Sequence, residues 1–262
     1  MSTTTLLPLI DEPKNIEKAS VAVLLPTYCE AENIESLIQD IEGLNLNILI
    51  AVIDDSSPDG TAERVMKLQE KYGNVHLVSR SEKLGLGTAI TEGFTCMLGL
   101  KKTPDYIITM DADYSHNPRD IPRLVNAAQK GCDLVIGSRY VEGGNVIGSR
   151  VWRRLVSRVA NVIAAVTVSA GLHDCTSGFR CYSENYVKDV LQDLHSQTYE
   201  IQIETLKQAR VKRFRVKEIP ITFVDRKKGR SKLTTTEVQA FLTYIMKTSF
   251  ERLISLLKLS KT

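Results

Sequence analysis

The chain has 262 residues, 43% of them hydrophobic and 25% charged, the balance of a soluble globular protein long enough for one large domain, with or without a tail. A net charge of +3 gives no ground for a nucleic-acid partner, and five cysteines without CxxC spacing or a secreted framework read as reduced thiols of an intracellular protein. No stretch approaches the ~18–20 apolar residues of a spanning helix, and "MSTTTLLPLIDEPKN" lacks the basic region and apolar core of a signal peptide, so any work at a membrane is expected from its surface.

Residues 1–19 are polar and unpatterned, a lead-in to the domain. "VAVLLPTY" (21–28) predicts a buried strand that ends in a loop. "AENIESLIQDIEGL" predicts a helix with Ile34, Leu37, Ile38 and Ile41 on one face and Gly43 as its C-cap. "NILIAVIDD" (47–55) is a second strand, "SSPDGT" a turn, and Thr61 is placed to cap the helix "AERVMKLQEKYG". "VHLVSR" (75–80) is a third strand. "LGLGTAITEGFTCMLGL" opens with glycines that suit a close backbone approach at a helix start; it is neither a P-loop nor a GxGxxG. "DYIITMDAD" is a fourth strand, "IPRLVNAAQKG" a helix, and "CDLVIGSRY" (132–140) a fifth strand. Strands that are apolar throughout and alternate with helices predict an α/β domain with a mostly parallel sheet covered on both faces.

Further on, "HDCTSGFRCY" reads as structural, with Gly178 turning and Phe179 packing, while "EIPITFVD" is an apolar strand that delivers the basic loop "RKKGRSKL", in which Gly229 permits hinge motion. "EVQAFLTYIMKTSFERLISLLKLSKT" predicts an amphipathic helix, broken near Thr248-Ser249; docking onto the domain's own core and resting on a bilayer or a membrane subunit are both open for it. Basic residues cluster at 207–232 and at Arg150, Arg153, Arg154 and Arg158, which suits a phosphate-bearing or membrane-surface partner as well as a solvated charged face.

Ligands of such sheets sit at the carboxyl ends of the strands. Those ends read Pro26-Thr27-Tyr28-Cys29-Glu30, Asp54-Asp55-Ser56, Asp111-Ala112-Asp113 and Gly137-Ser138-Arg139. Acids converging from separate strands suit a cation, or the hydroxyls of a sugar or ribose. A DxD alone is most often a turn or a cap; after a strong strand, its two carboxylates can reach one hard cation, which typically also takes substrate phosphates. Asp59 of the "SPDG" turn suits folding back on its own backbone.

"LLPTYCEAENI", "VIDDSSPDGT", "LGLGTAITEGF", "MDADYSHNP", "GSRYVEGG", "DCTSGFRCY" and "VDRKKGRSKL" follow one another in this order, and over residues 20 to 245 the set resembles glycosyltransferase family 2, in its dolichyl-phosphate (polyprenyl-phosphate) mannosyltransferase branch. The resemblance implies a GT-A catalytic domain over 20–232 and an amphipathic helical segment over 233–262. It implies transfer of mannose from GDP-mannose to dolichyl or polyprenyl phosphate, aided by Mg²⁺ or Mn²⁺; a glucosyltransferase using UDP-glucose and the same class of lipid is the alternative. Pro26, Tyr28 and Glu30, with Ile53 and Asp55 beside them, would cradle the nucleotide; Asp111, Ala112 and Asp113 would hold the diphosphate, Asp111 and Asp113 through the metal. Arg139 would sit near the transferring sugar, Arg226 and Lys232 would close over the donor from a mobile loop, and Arg153 and Ser157 would bind the acceptor phosphate. Some relatives carry Gln two residues after the second acid as a further metal ligand; here that residue is Ser115. The expected place of work is the cytoplasmic face of a membrane, endoplasmic reticulum or prokaryotic plasma membrane, held peripherally with or without small membrane subunits.

A phosphate monoester, with a second pKa near ~6, is already anionic at neutral pH and needs no protein base to attack the anomeric carbon. A single displacement would invert that centre. None of His76, His116, His173 and His195 shows metal-ligand spacing, and none is needed as a base.

Overall fold

The computed structural model describes residues 20–44, 46–149, 151–168, 171–226, 239–241 and 243–250, with only the backbone of 151–156. Strands β1 (Val21–Thr27), β2 (Ile48–Asp54), β3 (Val75–Ser79), β4 (Tyr106–Thr109), β5 (Leu134–Ser138), β7 (Arg180–Ser183) and β8 (Val216–Pro220) form a seven-stranded sheet in the order β3-β2-β1-β4-β7-β5-β8. Only β7 runs antiparallel, between β4 and β5, so the carboxyl ends of β1, β2, β4 and β5 share one edge. A small second sheet pairs β6 (Asn145–Ile147) with β9 (Thr222–Val224) in parallel.

Both faces of the sheet are covered. Val21, Val23 and Leu25 of β1, with Ile48, Ile50 and Val52 of β2, pack under α1 (Ile34–Glu42), α2 (Thr61–Lys71) and α4 (Ile121–Gln129). The alternate residues Ala22, Leu24, Leu49, Ala51 and Ile53 pack against α3 (Leu86–Leu98), α5 (Val151–Val168), α6 (Glu184–Val190) and α7 (Ile201–Val211). A pleated strand sends successive side chains to opposite faces, so a sheet clothed on both sides needs the unbroken apolar runs seen in the sequence.

Gly43 follows α1 as its C-cap, in ordinary right-handed conformation. Thr61 does not cap α2: the cap is Gly60, at φ 86°, and the Thr61 hydroxyl accepts the Glu30 N–H at 2.9 Å. Asp59 folds back as expected, accepting the Thr61 N–H at 3.1 Å, and also takes the Ala31 N–H at 3.0 Å, which ties the loop after β1 to the start of α2. The C-terminal segment is helical at 239–241 and 243–250, so its helix runs through Thr248 and Ser249 without the expected break. Ile245 is buried with Ala164 and Val168 of α5, and the Ser249 and Thr167 hydroxyls lie 2.9 Å apart. Residues 1–19, 227–238 and 251–262 lie outside the described residues, and with them the whole expected lead-in, the basic loop after Arg226 and both ends of the expected helical segment.

Candidate active site

The shared carboxyl edge of the strands opens into a cleft, lined by Pro26 near the end of β1, Tyr28 and Glu30 after it, Asp55 after β2, Asp111, Ala112 and Asp113 after β4, and Arg226 after β9. Eight residues singled out from the sequence thus come to one place. Three residues without glycine's freedom take left-handed backbone at this edge: Cys29 at φ 56°, Ser56 at 56° and Tyr114 at 64°. Such conformations persist only where surrounding bonds hold them. Cys29 N–H donates to Ser57 Oγ at 2.9 Å, and the Tyr114 hydroxyl donates to Asp40 and to the Ser36 carbonyl on α1.

The two acids of the DxD differ. Asp113 accepts the Ser115 N–H at 3.0 Å on one oxygen and meets the Arg226 guanidinium at 3.0 Å on the other. Asp111 accepts no hydrogen bond from the described residues; 40% of its side chain faces the cleft, and the nearest cation-capable group is His116 Nδ1 at 3.8 Å. Confinement below the rim raises its pKa, His116 opposes the rise, and the Asp113 charge adds to it. A Cβ at Gly178 would stand 3.0 Å from Asp111 Oδ1, so glycine there makes room for the carboxylate. Two neighbouring carboxylates, one with unsatisfied oxygens, fit a hard divalent cation that draws its remaining ligands from phosphate and water. Among the described residues no group of three or more His, Cys, Asp and Glu forms a complete protein cage.

His116 is buried and stacked on Phe179 at 5.1 Å. Its Nδ1 accepts the Asp111 backbone N–H at 3.3 Å, which puts the ring proton on Nε2. Burial lowers its pKa against the pull of Asp111 and Asp113, so the ring is neutral and holds the DxD turn in place.

Asp55 lines the cleft while serving the scaffold: it accepts Arg80 Nη1 at 2.5 Å and the Gly85 N–H at 2.9 Å. Burial raises its pKa in spite of those bonds. Its neighbour Asp54 is turned inward, accepting the Thr27 hydroxyl at 2.7 Å and the Ser57 N–H at 2.9 Å. β2 is buried on both faces, so the Ile53 side chain lies in the core and its backbone is the part left to meet a ligand.

Arg139 does not line the cleft. At the end of β5 it forks onto the fully buried Asp174, both bonds 2.7 Å, and its Nη2 also donates to Thr176 Oγ1 at 2.7 Å. Its charge still reaches Asp111 and His116. Ser157 sits on α5, where its Oγ accepts the Tyr140 hydroxyl at 2.8 Å. Arg153 is on the same helix, one turn earlier, with its side chain outside the described atoms; Lys232 lies outside the described residues altogether.

The structure adds wall residues that the sequence reading missed: Lys83, Gly85, Leu86 and Tyr199. Lys83 Nζ stands 4.5 Å above the Tyr28 ring, a cation–π contact. Tyr199 arrives on a loop pressed against the start of α3, where the Gly87 N–H donates to the Gln197 carbonyl at 2.9 Å. The glycine pair of "LGLGTA" makes that approach possible: a Cβ on Gly85 or Gly87 would stand 2.6 Å from the Gln197 oxygen or 2.2 Å from that of Ser196. The motif was the signal; its partner loop had none.

Residues 22–191 match the family described as glycosyl transferase family 2. The polyprenol monophosphomannose synthase of Mycolicibacterium smegmatis is 38% identical over 220 residues, covering 83% of this chain and 82% of that protein. The dolichol-phosphate mannosyltransferase of Pyrococcus furiosus is 36% identical over 229 residues, 86% of this chain; the chain spans 62% of that longer protein. Among solved structures, glucosyl-3-phosphoglycerate synthase from Mycobacterium tuberculosis in complex with Mn²⁺, UDP and glucosyl-3-phosphoglycerate superposes with a TM-score of 0.63 at 20% identity, over 89% of this chain and 80% of that one. A mannosyltransferase from Pyrobaculum calidifontis in complex with GDP-Man and Mn²⁺ gives 0.55 at 17% identity, over 80% of this chain and 58% of that one. At these identities the two structures carry the fold.

Proposed function

The chain belongs to glycosyltransferase family 2 and is a glycosyltransferase of GT-A fold; from that premise we propose that it transfers mannose from GDP-mannose to a polyprenyl or dolichyl phosphate with inversion. The observation that carries this reading is a cleft with an arginine and a pair of acids suited to a divalent cation, in which, among the described residues, no carboxylate or imidazole beyond that pair is left poised for a hydroxyl. His116 is neutral, buried and occupied at Nδ1, and Asp55 is engaged by Arg80 and Gly85. An acceptor that arrives already ionised, a phosphate monoester, suits such a site. The names of the two relatives favour the same chemistry.

In this reading Pro26, Tyr28 and Glu30 hold the nucleoside, with Asp55, Lys83 and Tyr199 on the facing walls. Asp111 and Asp113 would hold Mg²⁺ or Mn²⁺, which when bound offsets the charge of the departing diphosphate. Arg226 adds a second positive charge at that end of the cleft, and Lys232 is its expected companion. Arg139, fixed by Asp174, and Ser157 and Arg153 on α5 hold the acceptor phosphate in line with the anomeric carbon.

The acceptor's lipid tail puts the enzyme at a bilayer. Among the described residues no helix is long and apolar enough to cross one. Helix α5 instead presents Val159, Val162, Ile163 and Val166 to the exterior, a stripe at i, i+3, i+4 and i+7, and the helix beside it exposes Met246 and Phe250. Exposed Arg158 and Lys247 border this face, as an anionic lipid surface would favour.

The test is transfer of labelled mannose from GDP-mannose to polyprenyl phosphate in detergent with Mg²⁺ or Mn²⁺, with anomeric analysis of the product. Metal-dependent formation of β-mannosyl phosphate lipid supports the reading. Labelling from UDP-glucose alone, or an α product, overturns it.

A further inference from the structure

Tyr140 follows Arg139 just beyond the end of β5, and three polar groups gather on it. Its hydroxyl donates to Ser157 Oγ at 2.8 Å. The Arg139 guanidinium carbon lies 5.1 Å from the centre of its ring, and that of Arg158, one residue after Ser157 on α5, lies 5.7 Å from it. Two guanidinium groups drawn to one ring repel each other. Arg139 is offset by Asp174, whereas Arg158 pairs with no carboxylate among the described residues. The cluster therefore holds a surplus positive charge. It also holds a serine whose oxygen already accepts a hydrogen bond, and whose own O–H, which meets no acceptor among the described residues, can donate to a ligand, polarised by the bond it receives.

Resting on the reading of this cleft as a lipid-phosphate glycosyltransferase site, we propose that Tyr140 is a positioning residue for the acceptor phosphate: it aims the Ser157 hydroxyl and, with Arg139, recruits Arg158 as a further cation for the phosphate dianion. The serine is held from β5 by this bond. Its helix is held a second time by Asn161, whose side-chain amide donates to Thr176 Oγ1 at 3.0 Å and whose carbonyl oxygen accepts the Thr176 N–H at 3.0 Å. Thr176 in turn accepts from Arg139 at 2.7 Å. The loop that fixes Arg139 and the helix that carries Ser157 thus meet at one residue, and Tyr140 closes the ring of contacts on the open side.

The test uses Tyr140→Phe, which keeps the ring and removes the hydroxyl, with Ser157→Ala, the double variant and Arg158→Gln. The readouts are KM for a short-chain polyprenyl phosphate, kcat, KM for GDP-mannose, and calorimetric binding of the lipid phosphate alone. Tyr140→Phe is expected to raise the acceptor KM and weaken phosphate binding about five- to tenfold, with the donor KM unchanged. The double variant is expected to lose no more than Ser157→Ala, because the tyrosine acts through the serine. Arg158→Gln is expected to weaken phosphate binding and flatten its salt dependence. An unchanged acceptor KM in Tyr140→Phe, additive losses in the double variant, or an equal rise in the donor KM overturns the proposal. If the wild type transfers mannose to no lipid phosphate, the functional reading fails, and binding of the lipid phosphate decides the Tyr140 proposal by itself: a wild type that binds none sinks both.

Discussion

Arg226 Nη2 lies 3.0 Å from Asp113 Oδ2, so the arginine that opens the basic loop rests on the second acid of the DxD. The pair is partly open to the cleft, and each member has a task that the other relieves: Asp113 anchors the loop's first residue, and Arg226 tempers the repulsion between two acids. Replacing Arg226 with Ala is expected to lower kcat/KM for the donor by about 10²-fold, the scale seen when one preorganised charge is removed from a reacting centre. Asp113→Asn should lose at least as much, and the double variant less than the product of the two, because each single change also disables the other's role. Steady-state kinetics on the four proteins checks this; losses that multiply would refute the coupling.

Gly178 is a steric requirement of Asp111. A Cβ would press on Oδ1 at 3.0 Å, while the rest of the residue's surroundings tolerate it. Gly178→Ala is therefore expected to leave the thermal midpoint nearly unchanged and to reduce metal-dependent transfer roughly ten- to hundredfold, since small misplacements of a positioning group carry costs of that size. A titration of activity with Mn²⁺ should show the metal requirement shifted to higher concentration.

The fold and most of the cleft were legible because they depend on short-range pattern. Five apolar strands, each followed by polar residues, placed Pro26, Tyr28, Glu30, Asp55, Asp111 and Asp113 on a common edge without any coordinate. What escaped the reading depends on distant partners. β7 reads as "RCYS", and a charged first residue argues against a central strand; in the structure Arg180 is fully buried because carbonyl oxygens of Cys175, Ser177 and Gln202 accept its donors at 2.7, 2.8 and 2.7 Å. Asp174 carried no signal, since its role exists only once β5 brings Arg139 beside it. Tyr199 likewise reaches the cleft only through the contact of its loop with Gly85 and Gly87. For Ile53 the period-2 geometry of β2 sends the side chain to the core, so its place in the motif concerns the backbone.

Asp174 is a pH-dependent element of stability. Burial alone would raise its pKa, but the Arg139 guanidinium and the Arg139 backbone N–H outweigh it and hold the carboxyl below the ordinary carboxylate range. A lowered native pKa means that the unfolded chain binds the proton more readily, so the contribution is complete above the unfolded value near ~3.9 and is lost as pH falls through the native value. Asp174→Asn leaves Arg139 without its counter-charge and should destabilise the protein by about 3–5 kcal/mol at neutral pH. Urea unfolding of both proteins should give a constant gap between pH 7 and 5 and a narrowing gap below about pH 4. A gap independent of pH would show that the charge is immaterial.

Gly87 couples the donor cleft to the loop that carries Tyr199. A methyl group there would stand 2.2 Å from the Ser196 oxygen and 2.8 Å from the Gln197 carbonyl carbon, both backbone atoms with no side-chain freedom to yield. The start of α3 and the 196–199 loop must then separate. Gly87→Ala is expected to cost about 1–3 kcal/mol, the range for overpacking a filled interior, and to weaken binding of GDP by displacing the Tyr199 wall. Calorimetry of GDP binding, paired with thermal unfolding, checks both; unchanged GDP affinity in a destabilised protein would remove Tyr199 from the donor site.

The apolar stripe on α5 gives the membrane reading its own test. Val162 and Val166 are 63% and 66% exposed, so glutamate at either position disturbs no packing and should alter folding stability by less than ~0.5 kcal/mol. Against a bilayer the same changes remove apolar burial worth up to ~1.5–3 kcal/mol per valine and add a charge of the wrong sign for anionic lipid. Val162→Glu/Val166→Glu is therefore expected to lose sedimentation with anionic vesicles and to lower transfer to vesicle-embedded polyprenyl phosphate by tenfold or more, while turnover of a short-chain acceptor in detergent persists. Because α5 carries Ser157 two residues before Val159, the first residue of the stripe, the helix would present its polar half to the lipid's phosphate and its apolar half to the surface from which that lipid comes. Equal vesicle binding by both proteins would separate the stripe from the acceptor and place the lipid's approach on another face of the domain.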